Sequence, residues 1–376
     1  MNGSDVASGG VGHLYVHLPF CAHRCGYCDF VTAVGRLEGH AAYADALLAE
    51  LERGRWRLAP ELETVFLGGG TPTFTEPEAL DSVLAALPDA GELTVEANPE
   101  TVTPELASLL REGGVNRVSL GAQSFRPRLL EVLERVAGPD DVRRAVHNLR
   151  DAGFDNISLD LIYGIPGQSA ADLEADLADA LALEPEHLSC YELEAKAGTR
   201  FTHTHGEELR RQAEAMEGYA ERVVETLTGA GYRWYETANF CRSKRGRDLR
   251  AQHNLAIWRG ADYLGIGVGA VSTLGAERRR NLPSVARYVA ALEGGDAPPR
   301  EVERLDAPTR AVERLMLGLR LDEPFAVETA GVEDVVDADA LERLTVAGLV
   351  DRVGEGVRLT SRGRLLGGAV TAELLA

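Results

Sequence analysis

The chain has 376 residues, of which 45% are hydrophobic and 26% charged, and its formal net charge is −20 at pH 7. This length allows a barrel-sized domain with an additional module, and the balanced composition excludes an intrinsically disordered protein. The acidic charge argues against non-specific binding to nucleic acid or to anionic membranes, because both require clustered Lys and Arg.

The amino-terminal residues 1–10 lack the basic and then apolar pattern of a signal peptide. The uncharged stretch Tyr263–Ala276 is shorter than the roughly 20 residues that a membrane-spanning helix needs. We therefore expect no membrane span and a cytoplasmic, reducing location. In that setting five cysteines do not suggest a disulfide framework.

Over the first half of the chain, short apolar or β-branched runs alternate with helical patterns. The predicted strands are Leu14–Pro19, Thr64–Leu67, Leu93–Asn98, Arg117–Gln123, Ile157–Tyr163 and His187–Leu193. The predicted helices include Ala41–Arg53, Glu78–Leu87, Pro104–Glu112 and Ala171–Leu183. Such repeats predict an α/β fold with a parallel sheet. Polar and glycine residues at the strand ends favour a partial (β/α) barrel, whose functional site lies at the carboxyl ends of its strands.

The second half begins with a long helical pattern over Glu207–Gly229 and a predicted strand over Tyr232–Phe240. A basic loop, Arg242–Arg250, and a glycine-rich segment, Tyr263–Ala270, flank the motif region His253–Trp258. We divide the chain into a core of residues 1–205, a region 206–298 that completes the core, and a helical, winged-helix-like domain of residues 299–376. Residues 301–376 carry 15 acidic and 9 basic side chains, which argues against DNA binding despite this resemblance.

Three cysteines lie within eight residues, in the loop that follows the first predicted strand: Cys21, Cys25 and Cys28. Three thiolates at this spacing can bind three corners of an iron–sulfur cube and leave one iron open to another ligand. Zinc is the alternative metal, with His17 or His23 as its fourth ligand. Structural zinc sites usually combine two short hooks from separate segments, and no second hook occurs. The remaining cysteines, Cys190 and Cys241, are predicted to be small apolar side chains.

The cysteine motif, with Tyr27 before its third cysteine, resembles the signature of the radical S-adenosylmethionine (SAM) superfamily. Further segments resemble the oxygen-independent coproporphyrinogen III oxidase family over most of the chain. These segments are Tyr15–Cys21, Gly68–Thr73, Gly121–Phe125 and Asp160–Pro166. The resemblance implies a [4Fe-4S] cluster whose open iron is chelated by the methionyl group of SAM. It also implies electron transfer from the cluster to SAM, which releases a 5′-deoxyadenosyl radical.

The resemblance also implies a set of cofactor contacts. Backbone at Gly69 and Gly70 would approach the methionyl amino group closely, because glycine lacks a Cβ, and Thr71 would add a hydroxyl. The rings of Tyr15 and Tyr27 would lie near the cluster and the adenine, with core packing as the alternative. The remaining SAM contacts would be the polar side chains Glu96, Gln123, Arg135 and Asp160. For Arg135 the alternative is an arginine on a helix surface.

Two branches of this family fit the sequence to different degrees. Oxidases resemble Cys-x3-Cys-x2-Cys-x-Cys and have a longer extension before the cluster, whereas here Phe30 stands at the fourth cysteine's position. The segment Gln252–Trp258 resembles the His-Asn-x-x-Tyr-Trp motif of the heme chaperone branch, with Ile257 in place of the tyrosine. We therefore expect a heme chaperone, with heme, an unidentified acceptor protein and an unidentified electron donor as partners. His253 is the side chain to test first as a heme contact, with a hydrogen-bonded structural histidine as the alternative, and coproporphyrinogen III oxidase is the alternative function.

Overall fold

The computed structural model describes residues 10–35, 39–194, 200–244, 246–327 and 331–375. The strands, in chain order, are β1 His13–Leu18, β2 Phe20–Cys21, β3 Ala33–Val34, β4 Leu62–Gly69, β5 Ala90–Ala97, β6 Arg117–Gln123, β7 Ile157–Tyr163, β8 His187–Glu192, β9 Tyr232–Trp234, β10 Asn239–Arg242, β11 Leu264–Ile266, β12 Val271–Leu274, β13 Glu277–Asn281, β14 Arg300–Arg304, β15 Phe325–Ala326, β16 Val350–Val353 and β17 Gly356–Leu359. The helices are α1 His40–Gly54, α2 Pro77–Ala86, α3 Pro104–Glu112, α4 Pro127–Val132, α5 Pro139–Asp151, α6 Ala170–Ala182, α7 Arg200–Gln212, α8 Met216–Gly229, α9 Gln252–Trp258, α10 Val285–Glu293, α11 Ala307–Gly318, α12 Ala338–Val346, α13 Ser361–Leu365 and α14 Gly367–Leu374.

A nine-stranded sheet forms the centre of the molecule, in the order β11-β1-β4-β5-β6-β7-β8-β10-β9. Neighbouring strands from β11 to β8 are parallel, and β10 pairs antiparallel with both β8 and β9. The predicted partial barrel with a helical C-terminal portion is confirmed. Every one of the six predicted strands is present, and the boundaries of β6 and β7 agree with the prediction.

Alternation along these strands separates two faces of the sheet. On β6, Val118 and Leu120 are buried in the main apolar core with the helices, and the residues between them face the barrel interior. The interior layer is polar on several strands, with Thr64 on β4, Ser119 on β6 and Ser158 on β7. The sheet therefore carries an apolar outer core and a polar lumen.

The prediction of one helix over Glu207–Gly229 is wrong. Two helices, α7 and α8, are separated by a single 3₁₀ turn at residues 213–215. No proline marks this break, and tertiary contacts fix it instead. The side-chain amide of Gln212 donates to the main-chain oxygens of Ile165 and Gln168 at 2.9 and 3.0 Å, and the Tyr219 hydroxyl donates to the same Gln168 oxygen at 2.7 Å.

The prediction of one strand over Tyr232–Phe240 is also wrong, because these residues begin a hairpin of β9 and β10. Its turn is closed by Glu236, whose fully buried carboxylate accepts hydrogen bonds from Ala238 N at 3.0 Å and from Asn239 Nδ2 at 2.6 Å. A buried carboxylate satisfied by its own turn is a tertiary feature that strand periodicity does not reveal.

The C-terminal module combines α11 and α12 with the sheet β15-β17-β16. Helix α11 starts at Asp306, whose carboxylate accepts from Thr309 N at 2.9 Å and so caps the helix. The module has an apolar core of its own, which includes Leu315, Leu344 and Val357. Among the described residues, no helix is both long enough and apolar enough to cross a membrane.

Candidate functional site

Of the three clustered cysteines, Cys21 ends β2, and Cys25 and Cys28 lie on the loop between β2 and β3, which pair at Phe20–Ala33 and Cys21–Val34. Cys21 is buried, and Cys25 and Cys28 are half-buried. A tight turn closes the loop, with Cys28 N donating to Cys25 O at 3.1 Å. Burial raises the pKa of the Cys21 and Cys28 thiols. These thiols therefore ionise in place only with the compensation that a bound metal centre gives.

A chain of polar contacts ties this loop to the carboxyl ends of the barrel strands. Arg135 Nη1 lies 3.7 Å from Cys25 Sγ, and its Nη2 donates to Asn98 Oδ1 at 2.9 Å. Asn98 Nδ2 donates to Thr71 Oγ1 at 3.1 Å, and that hydroxyl lies 3.4 Å from Cys21 Sγ. These contacts form a bridge that runs from Cys25 through Arg135, Asn98 and Thr71 to Cys21. Arg135 and Thr71 are two of the residues predicted to contact the cofactor.

This donor set fits an iron–sulfur cluster with SAM. No three His, Cys, Asp or Glu side chains in the described part of the chain are arranged around one point for a single ion. The two ring nitrogens of His17 are engaged, at 3.1 Å from Tyr15 OH and 2.9 Å from Val31 O. With both nitrogens of His17 engaged, three cysteines at this spacing suit the corners of an iron–sulfur cube better than a zinc site with His17 as fourth ligand. Arg135 Nε is buried without a partner among the described residues, so a donor remains for a ligand carboxylate.

The glycine segment after β4 offers acceptors to a ligand. Gly69 N donates to Glu96 Oε2 at 3.2 Å, and the N–H groups of Gly70 and Thr71 each donate to main-chain oxygens of the β1–β2 segment at 2.8 Å. With all three N–H groups engaged, a ligand meets oxygen atoms at this edge rather than free donors. That arrangement suits a cationic amino group, as predicted for Gly69 and Gly70.

Two predicted carboxylates, Glu96 on β5 and Asp160 on β7, share the carboxyl end of the lumen. Burial and then the charge of Asp160 raise the pKa of Glu96 to about 7. Burial also raises the pKa of Asp160, although Ser119 Oγ donates to its carboxylate at 3.1 Å and Ser158 Oγ at 3.4 Å. Both carboxyls keep raised pKa values despite the charge of Arg117, and a sulfonium or ammonium group would stabilise their charged forms.

The other predicted contacts, Tyr15, Tyr27 and Gln123, lie around the same end. Gln123 ends β6 in the left-handed region, with φ 63°, next to an irregularity in the β6–β7 register. Such a conformation costs a non-glycine residue on the order of 1 kcal/mol and is common at binding sites. The ring of Tyr15 stacks on Phe66 with centroids 6.2 Å apart. Tyr27 packs against the apolar cluster around Leu129 and Leu133.

The structure places His253 away from the cysteine loop, although the ring of Phe66 stacks on both His253 and Tyr15, with centroids 5.3 and 6.2 Å apart. Its Nδ1 lies 2.7 Å from Thr64 Oγ1, near the start of β4, whereas Thr71 and the cysteine loop lie beyond the end of that strand. Seven residues of extended chain separate the two positions by roughly 20 Å. The His253 ring is 2% exposed, and burial lowers its pKa to about 3. The main-chain N–H groups of Gln252 and His253 donate to the Glu92 carboxylate at 3.0 and 3.1 Å, which attaches α9 to the amino end of the barrel.

A polar cleft of about 650 Å³ opens at this amino end, between α9 and the starts of β4 to β7. The basic loop borders it, and its described cations already have acidic neighbours. Arg247 pairs with Asp155, Arg250 pairs with Asp248, and Lys244 lies 3.9 Å from Asp155. Arg245, which also belongs to the loop, lies outside the described residues.

Sequence reasoning missed two contributors to the site. Asn98 was recognised as a polar strand end, but its place at the centre of the bridge depends on tertiary structure. Arg117, at the start of β6, is 2% exposed, and its charge lowers the pKa of both Glu96 and Asp160 within the lumen. The sequence pattern that could have indicated Arg117 is the occurrence of polar residues at 117, 119 and 123, on one face of an otherwise apolar strand.

Comparison with known proteins places this site in a family. The family model of the radical SAM superfamily matches residues 15–180, and that of the HemN C-terminal domain matches residues 305–366. The heme chaperone HemW of Mycobacterium tuberculosis is 36% identical over 96% of this chain and 94% of its own length. The chain belongs to the HemW family of radical SAM proteins. HemW of Bacillus subtilis is 34% identical and covers 96% of this chain and 98% of its own length.

A solved structure extends the HemW-family assignment to the fold. The coproporphyrinogen III oxidase HemN of Escherichia coli superposes with a TM-score of 0.80 over 97% of this chain and 90% of its own, at 23% identity. At that identity the likeness establishes a shared architecture and no shared activity. Membership in the radical SAM superfamily implies a [4Fe-4S] cluster and SAM.

Proposed function

We propose that this protein is a heme chaperone, which binds heme and delivers it to an acceptor protein. The relatives of this name from Mycobacterium tuberculosis and Bacillus subtilis each match 96% of the chain, and one local observation supports the proposal most directly. Where an oxidase would have a fourth cysteine, Phe30 stands with 59% of its surface exposed. Val34, at 46% exposure, and Val136, beside Arg135 at 66%, add to an apolar rim around the cysteine loop. Such a rim suits contact with an apolar macrocycle.

Under this proposal Cys21, Cys25 and Cys28 hold the cluster. When bound, the cluster supplies an open iron and an electron to SAM. Arg135 and Thr71 orient the loop and the ligand carboxylate, and Glu96 with Asp160 balances the cationic part of SAM. The other residues assigned to SAM are Tyr15, Tyr27, Gly69, Gly70 and Gln123. None of the five cysteines is in a disulfide bond in the structure, which supports a reducing, cytoplasmic location.

Heme contact at His253 stays a prediction. Its Nε2 has no partner among the described residues, as an axial ligand requires, yet the ring is enclosed by Thr64 and Phe66. Ligation would require this ring to turn toward the adjoining amino-end cleft. A His253→Gln variant that retains heme with an unchanged absorption spectrum would remove this residue from the heme site and leave the chaperone proposal intact.

The deciding experiment is anaerobic reconstitution with iron and sulfide, followed by separate assays for heme retention and for 5′-deoxyadenosine release. We expect stoichiometric heme retention, transfer to an apo-hemoprotein, and no decarboxylation of coproporphyrinogen III. Protein that binds no heme but decarboxylates coproporphyrinogen III would replace the chaperone with the oxidase. Cys21→Ala should lose most of its iron and brown absorbance, whereas Cys241→Ala, at a buried position on β10 outside the loop, should keep both. Equal iron content in the two variants would refute the cluster assignment.

A further inference from the structure

A second cleft lies on the outer face of the sheet, away from the lumen that the cysteine loop covers. It has a volume of about 260 Å³ and separates α8 and the β9–β10 hairpin from α13 of the C-terminal module. Its walls are largely apolar and include the side chains of Val223, Val224, Trp234, Phe240 and Leu366. Leu366 is 38% exposed, so apolar surface continues to the entrance.

One cation, Arg364, lines this cleft and is 7% exposed. Its Nη1 donates to the main-chain oxygen of Trp234 at 2.8 Å, and its guanidinium carbon lies 3.6 Å from the centroid of the Trp234 ring. Its Nε and Nη2 are buried and have no hydrogen-bond partner among the described residues. Two unsatisfied donors on a buried cation are costly, and a planar carboxylate is the group that satisfies them together.

The nearby carboxylates do not serve this purpose, because other arginines hold them. Glu236 accepts from Arg320 at 2.7 Å, and Asp322 accepts from Arg233 at 2.7 Å. Burial lowers the pKa of Arg364 to about 10, so the side chain remains charged at neutral pH. Two exposed carboxylates, Glu192 and Glu217, stand on the cleft wall, where water screens them. They disfavour small inorganic anions, which have no apolar body to offset the repulsion.

We propose that this cleft binds a carboxylate carried on a flat apolar body, with Arg364 pairing with the carboxylate and the apolar walls packing against the body. The ligand follows from the proposed function: heme carries propionates on an apolar macrocycle, and one propionate edge enters here. Pockets that enclose a whole drug-sized molecule measure roughly 300–1,000 Å³, so this smaller cleft takes an edge of heme and leaves the iron outside. A heme that is bound by its propionate edge keeps its iron accessible to an acceptor protein.

The test measures the affinity of the full-length reconstituted protein for three probes: heme, heme dimethyl ester and dodecanoate. The ester removes the carboxylate charges, and dodecanoate keeps a carboxylate without the macrocycle. Arg364→Gln should weaken heme binding by roughly tenfold to a hundredfold, as expected for loss of a charged hydrogen-bonded pair. The variant and the wild type should bind the ester equally. Arg358→Gln, at an arginine on β17 whose partner is Asp351, is the matched control and should bind heme like the wild type.

A second variant guards against a folding effect of Arg364→Gln. Ala220→Phe places a ring on the α8 wall of the cleft and leaves the guanidinium in place. It should weaken heme binding to a similar extent, with an unchanged circular dichroism spectrum. Heme binding that is unaffected in both variants overturns the cleft assignment, while the chaperone proposal stands. Equal weakening of heme and ester binding also overturns it, since the carboxylate would then play no part.

Failure of the proposed function gives a different result. If the wild type binds no heme but dodecanoate changes its Trp234 fluorescence, and Arg364→Gln abolishes this change, the cleft takes apolar carboxylates and heme is not its ligand. If the wild type binds none of the three probes, both proposals are wrong.

Discussion

Replacement of Glu96 by glutamine should make the stability of the protein less dependent on pH. The native pKa of Glu96 is raised from 4.5 to about 7 by burial and by the charge of Asp160. Between those values the native state holds a proton that the unfolded state has lost, so native stability falls as pH rises from about 4.5 to 7. At pH 8 the whole penalty is present, and a rise of this size corresponds to about 3 kcal/mol. Glutamine can keep the hydrogen bond from Gly69 and carries no charge at any pH.

Urea denaturation of the cluster-free, SAM-free protein at pH 5 and pH 8 measures this difference. The gain in unfolding free energy of Glu96→Gln over the wild type should be about 2–3 kcal/mol larger at pH 8 than at pH 5. Comparison of the two proteins at each pH cancels the titration of all other groups. Glu61→Gln, at an exposed position, is the control and should show no such difference. The same stability change for Glu96→Gln at both pH values would refute the raised pKa and the coupling to Asp160.

Three further predictions concern the bridge from Arg135 to Thr71, the glycine segment at the end of β4, and His253 at the amino end of the barrel. Arg135→Gln removes donors to a side-chain and a main-chain oxygen at 2.9 and 2.8 Å; it should lower the unfolding free energy by about 2–4 kcal/mol and reduce iron retention, measured by urea denaturation and iron analysis. Gly70→Ala places a Cβ 2.5 Å from a main-chain oxygen of the β1–β2 segment and should cost about 2 kcal/mol or more, whereas Gly229→Ala, with open space around it in α8, should be neutral or slightly stabilising. Since the native pKa of His253 is about 3, the unfolded chain gains a proton below pH 6.5 that the native ring refuses. His253→Gln should therefore destabilise less at pH 5 than at pH 7.5, by about 2 kcal/mol, and an equal loss at both would contradict the burial of this ring.

The parallel half of the fold was predictable because its strands carry local signals. β6 and β7 are short runs with buried apolar residues at alternate positions, and helix α3 is capped by Thr103, which accepts from Leu106 N at 3.2 Å. The errors fall where tertiary bonds override local pattern. Gln212 and Glu236 each fix a break that the sequence pattern around them does not mark, through side-chain hydrogen bonds to distant or turn backbone.

In the candidate site, too, some features follow from local sequence and others only from tertiary contacts. The cysteine spacing is local, and a recognisable motif carries it. The bridge from Arg135 through Asn98 to Thr71 joins the segment between α4 and α5 to the loops after β5 and β4, so only tertiary structure brings it together. For His253, the motif and the position in the fold have to be considered separately. Its motif predicted membership of the right branch, while its place, hydrogen-bonded at the amino end of β4, follows from the attachment of α9 to Glu92 and could not be read from spacing.

Unsatisfied groups distinguish the two ends of the barrel. At the amino end, Arg247 and Glu92 have charged or N–H partners, whereas His253 Nε2, Asn156 Oδ1 and Arg117 Nε are buried without a hydrogen-bond partner among the described residues. At the carboxyl end, a guanidinium nitrogen of Arg135 lacks a partner among the described residues, and the Glu96 carboxyl is held partly protonated near pH 7. A guanidinium with an unpartnered nitrogen and a carboxyl with a raised pKa both cost free energy, and at the carboxyl end one ligand can satisfy the two together. A molecule that presents a carboxylate to Arg135 and a positive charge to Glu96 relieves both costs at once, and SAM carries both groups. The energetics of these side chains thus point to the same end of the barrel as the cysteine motif, without depending on it.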